Sequence, residues 1–248
     1  MTAEAVALRS VPQRPSLTAR LLGLGSVFGK AMRDGRRAML IFGSLAGWMM
    51  FVGGAAMAAE WNTLESRLAL QQQMDLLPDV LVGLLGQPLG LETLGGFLSW
   101  RFGNIMALIL GLWSVLALSS TLATEARRGT LDFVAASPVA RRHIAAQKAG
   151  AHVALVAGAM LMASVLTWLA TIVFAALPGD EVAFGTALAH YALTGLLMLV
   201  GGGAAFATAP ILGRGRALGV GMLVLFGGFL VNAYATGIPV LEALRPLS

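Results

Sequence analysis

The chain has 248 residues, 57% of them apolar and only 12% charged, with a formal net charge of +5 and no cysteine. Soluble domains carry roughly 25% charged residues, so this balance points to a chain solvated by lipid. The lack of cysteine excludes a disulfide framework, an Fe–S cluster and a Cys-ligated zinc.

Residues 1–15 are polar and contain proline. They lack the basic start, apolar core and cleavage site of a secretory signal, and read as a cytoplasmic tail. Between 16 and 38, Leu17, Leu21, Leu24, Phe28 and Met32 recur at spacings of three and four, and Lys30, Arg33, Asp34, Arg36 and Arg37 gather behind them. This pattern predicts an amphipathic helix lying in the membrane interface, and a plain basic flank before the first span is the alternative.

A charge-free run follows at 39–59, and at ~1.5 Å per residue it reaches roughly 31 Å, the thickness of a hydrocarbon core. Further apolar runs at 102–123, 151–177, 184–212 and 217–236 are long enough to span. The expected fold is all-α: one transmembrane domain, a polytopic membrane helix bundle with five spans. Residues 60–101 form a loop too long for a turn. Its leucines predict short amphipathic helices divided by Pro78 and Pro88.

Lysine and arginine set the orientation. With the N-terminus in the cytoplasm, the inner segments hold fourteen of the seventeen basic residues; Arg67, Arg101 and Arg245 fall outside. Basic residues that flank apolar runs reflect topology, so no nucleic-acid partner is expected. Bilayer lipid is.

Several apparent motifs fail on context. Gly23, Gly25 and Gly29 miss the dinucleotide-binding spacing, and no Walker A sequence occurs. His152 and His190 lie near the ends of predicted spans and are expected at the interface. The spans hold no cluster of acids, bases or metal ligands, so neither catalytic residues nor a metal or cofactor on this chain is expected. Gly43 with Gly47, and the run Gly201 to Ala205, suit close helix packing. Pro210 removes a backbone donor and could hinge the fourth span.

The loop at 124–150, between spans two and three, is the informative segment. Gly129 stops the preceding helix, and Thr130 can cap a short new one bearing Leu131, Phe133 and Val134, which Pro138 ends. A short, partly apolar helix between basic flanks can dock into a groove on a cytoplasmic partner. A plain basic loop with an interfacial turn has the same local features.

The pattern E-x-x-R-G-T-L, six residues, P-x-x-R, carried by Glu125, Arg128, Gly129, Thr130, Leu131, Pro138 and Arg141, resembles the first intracellular loop of ABC-2 type transporter permeases. The stretch Phe28, Lys30, Arg33, Asp34, Arg36 and Arg37 resembles that family's elbow helix. The closing residues 244–248 resemble the stretch before its last span. The resemblance implies that residues 131–137, with Phe133, form a coupling helix against a separate ATPase subunit, which would hold ATP and Mg. Glu125 and Arg128 would hold this loop against the elbow. It further implies a second permease half, identical or different, and a path between halves lined by spans one, two and five. The family has six spans per half, so a sixth is expected to follow. The expected function is the permease subunit of an exporter for a hydrophobic or amphipathic substrate, in a bacterial plasma (inner) membrane. The rival is a non-transporting anchor or assembly module.

Overall fold

The computed structural model describes residues 26–120 and 141–234, and within them the chain is helical, with no strand. Helix α1 covers Val27–Glu60, α2 Leu64–Asp75 and α3 Asp79–Leu85. Helix α4 covers Leu94–Ser119, with a π-turn at Ser99–Gly103. Helix α5 covers Arg141–Val173, and α6 covers Phe184–Tyr234, with a second π-turn at Leu223–Gly227. Among the described residues, α1, α4, α5 and α6 are long and apolar enough to cross a membrane.

Helix α6 is two arms. Gly213 has φ 72° and ψ 167°, a region open in practice only to glycine. The chain doubles back there, so that the Cα of Gly221 faces the Gly201 carbonyl; a Cβ on Gly221 would sit 2.9 Å from that oxygen. Pro210 and Gly213 act together: the proline weakens the last turn of the first arm, and the glycine makes the reversal. The expected break between the fourth and fifth runs is therefore present, at Gly213. Replacing Gly213 with alanine should cost about 1–3 kcal/mol, because nothing crowds the site and only backbone strain opposes the methyl. A thermal melt of the purified variant checks this.

Neighbouring contacts give each segment a direction. Gly35 meets Leu155, Gly43 meets Ala159 and Gly54 meets Phe174, so α1 and α5 run parallel. Phe42 stacks on Trp113 at 5.0 Å while Gly53 meets Phe102, so α4 runs against α1. Thr167 hydrogen-bonds Tyr191 at 2.9 Å and Met160 meets Gly195, so the first arm of α6 runs against α5. The second arm reverses again and brings Leu225 onto Gly111. Five helical segments thus alternate in direction.

Small residues make this packing possible. With lipid on all sides there is no hydrophobic drive between helices, and close approach supplies the attraction. The centre is filled by Ala46, Met50, Met57, Leu110, Ala159, Ala163 and Met198, all 4% exposed or less.

Two expectations differ from the structure. The interfacial helix and the first span are not separate elements in the described part: α1 runs unbroken from the Ser26 cap to Glu60. No proline lies between Phe28 and Met39, and the weak helix formers Gly29, Asp34 and Gly35 are carried through, Gly35 because its missing side chain admits Leu155 of α5. Residues 16–25 lie outside the described residues. The second span begins earlier than expected, at Leu94, because Thr93 caps it through the Gly96 N–H and Arg101 does not interrupt it.

Candidate functional site

The alternating directions gather most of the described basic residues at one end of the bundle. The start of α1 presents Lys30, Arg33, Arg36 and Arg37, all exposed; the start of α5 presents Arg142; and the bend at Gly213 presents Arg214 and Arg216. Asp34 lies 4.0 Å from Arg33, and both side chains are about half exposed, so this pair contributes little. The Phe28 N–H donates to Gln147 Oε1 at 3.1 Å and ties α1 to α5 at this end. The elbow residues Phe28, Lys30, Arg33, Asp34, Arg36 and Arg37 thus stand beside the start of α5.

The loop residues Glu125, Arg128, Gly129, Thr130, Leu131, Phe133 and Pro138 lie outside the described residues. Arg141 opens α5. Both attachment points of that loop, the end of α4 and the start of α5, are at the basic end.

The opposite end is closed by a cap built from α2, α3, the turn at 86–93 and the α5–α6 turn. Its centre is an ion pair that the sequence did not reveal. Arg67 Nη1 and Nη2 donate to Asp180 Oδ1 and Oδ2 at 2.5 and 2.8 Å. The two residues are 1% and 0% exposed. Arg67 Nε donates to the Trp61 carbonyl at 2.8 Å, and Nη1 also donates to the Glu92 carbonyl at 2.9 Å. Asp180 accepts from the backbone N–H groups of Leu94, Ala176 and Leu177, each at 2.9 Å. Burial pushes the Asp180 carboxyl up, but Arg67 and these three donors outweigh it and hold the group well below the usual carboxylate range.

This constellation follows from local chemistry. A Thr63–Ser66 capping box starts α2 and sets Arg67 one turn in, pointing back at the loop. Gly179, at φ 93°, turns the chain so that Asp180 faces the backbone donors of residues 176 and 177. One signal was present in the sequence: Asp180 follows Pro178-Gly179 in a short turn between apolar runs. Its partner, 113 positions away, was not readable.

His152 is also not where the sequence suggested. It is 6% exposed, inside the bundle, with its Nε2 2.9 Å from Ser114 Oγ and its ring edge-on to Trp113 at 5.6 Å. Hydropathy alone starts this span at Ala151, whereas α5 begins ten residues earlier, at Arg141, and His152 lies well inside it. The pair bridges α4 and α5 as a hydrogen bond between helices. His190 is partly buried, near Gly103 of α4. Among the described residues no group of three His, Asp or Glu could hold a metal ion.

No family model, no curated protein and no solved structure matches this chain.

Proposed function

We propose that this chain is the membrane-spanning subunit of an ATP-driven transporter of the ABC-2 type. It crosses the membrane five times, with its basic end in the cytoplasm of a bacterial cell. It exports a hydrophobic or amphipathic substrate. A separate ATPase subunit binds ATP and Mg, and a second permease half completes the path.

One observation carries this reading. The segment with the E-x-x-R-G-T-L…P-x-x-R pattern is joined to α4 and α5 at the basic end, beside the exposed basic start of α1. A partner seated there touches the loop and α1 together. Since α1 runs parallel to α5 and packs along it, a push on this end is passed into two membrane helices as one rigid body. The ATPase supplies the energy through contacts that differ between its two states.

The test is co-purification of the ATPase with the native chain and with Leu131→Asp and Phe133→Asp. A charge in an apolar docking face leaves a desolvated carboxylate, so each variant should retain at most a tenth of the bound ATPase, a loss of at least ~1.4 kcal/mol. If both variants hold the ATPase as tightly as the native chain, the loop is not the coupling contact. If no ATPase accompanies the native chain at all, the protein is a non-transporting membrane anchor.

A further inference from the structure

The cap end has two described arginines, and they differ completely. Arg67 is buried and matched to Asp180. Arg101 is exposed and has no ion-pair or hydrogen-bond partner among the described residues. It sits in the π-turn of α4, where one extra residue per turn bulges the helix wall outward.

The π-turn builds one side of a small groove, and α3 builds the other. Leu84, Leu85 and Ile105 supply its apolar walls, and Trp100, Arg101 and Asn104 its polar side. Two hydrogen bonds join the walls and fix their spacing: Trp100 Nε1 donates to the Gly86 carbonyl at 3.0 Å, and Asn104 Nδ2 to the Leu85 carbonyl at 2.9 Å. Gly86, at φ 89°, lets α3 end against Asn104. The cavity is about 40 Å³. A water needs roughly 10–15 Å³ by this measure, so the space takes about three waters or one phosphate-sized group.

The apolar walls of the groove are open to the outside: Leu84 and Ile105 are 47% and 51% exposed. An unpaired guanidinium beside exposed leucine and isoleucine matches a molecule with an anionic head and a hydrocarbon tail.

We propose that the groove between α3 and the π-turn of α4 binds the phosphate of an anionic phospholipid from the leaflet at the cap end, with Arg101 as its cationic partner. The fork of Arg101 donates to two phosphate oxygens, and the acyl chains lie along Leu84 and Ile105. This assignment does not depend on the transporter reading.

The chain has no cysteine, so Leu81→Cys creates a unique attachment point one turn from the groove on α3. The full-length variant carries a fluorophore there, in phosphatidylcholine nanodiscs with a few per cent of nitroxide-labelled lipid. Labelled phosphatidylglycerol should quench several-fold more than labelled phosphatidylcholine. Arg101→Gln should lower the apparent affinity for phosphatidylglycerol about tenfold and remove that excess. Arg101→Lys should keep part of it. Since Arg101 is exposed, Arg101→Gln should melt with the native protein, which separates lost binding from lost fold. Equal quenching by the two lipids, or an unchanged excess in Arg101→Gln, overturns the proposal. So does loss of the excess on adding millimolar glycerol phosphate, which would mark a site for water-soluble anions.

Discussion

Replacing Asp180 with leucine should destabilise the protein by about 3–5 kcal/mol, because it strands the Arg67 guanidinium in a site that excludes water. Three backbone N–H groups lose their acceptor in the same step. Asp180→Asn should cost less, since one carbonyl oxygen still accepts, yet the charge on Arg67 stays uncompensated. The double variant Arg67→Leu with Asp180→Leu should recover much of the loss, as breaking a buried pair costs more than replacing both partners. Thermal unfolding of the native chain, Arg67→Leu, Asp180→Leu and the double variant in one detergent gives the coupling energy directly. If the double variant is no more stable than Asp180→Leu alone, the pair does not hold the cap.

The same pair has a pH signature. The folded carboxyl titrates below its unfolded value of about 3.9, so its contribution is fully present above that pH and is lost as pH falls through the lower folded value. The cap should therefore remain closed throughout the neutral and mildly acidic range. Proteolysis of the 60–94 segment, compared at pH 7 and pH 5, should show no difference in the native chain.

A second large effect is expected at Gly43. A Cβ there would lie 2.9 Å from the Ala159 carbonyl oxygen and 3.0 Å from the Ala159 Cα. Both are backbone atoms of α5, so no side chain can swing aside to make room. Gly43→Val should force α1 and α5 apart and cost about 1–3 kcal/mol or more, with the loss spread along the pair. Gly203→Val is the control. Nothing lies within 4 Å of that position, and the change should be nearly neutral. The measurement is the melting temperature of both variants. Equal melting would show that the contact of α1 with α5 is looser than the distances indicate.

Most of the helical framework was legible in the chain. Apolar runs and their flanking charges marked the spans, because bilayer thickness and the cost of a buried charge act on each segment separately. Short helices between 60 and 101 were legible from leucine spacing and two prolines. Helix continuity was less so. Whether residues 28–38 join the following span depends on Leu155 and Gln147, which stand on another helix.

The sequence by itself determined that this chain is apolar enough for lipid, which segments are helical, and that its basic residues gather at alternate turns. These are properties of single segments and their solvent. Only the tertiary structure decided that Arg67 and Asp180 meet, that His152 faces Ser114, and that Arg101 alone among the described cap residues offers an unpaired cation. Each of these depends on which residues, far apart in sequence, share one small volume. A guanidinium in an apolar loop reads the same whether it is buried against a carboxylate or left at the lipid surface. Partner distance and burial separate the two, and both are set by how the helices pack.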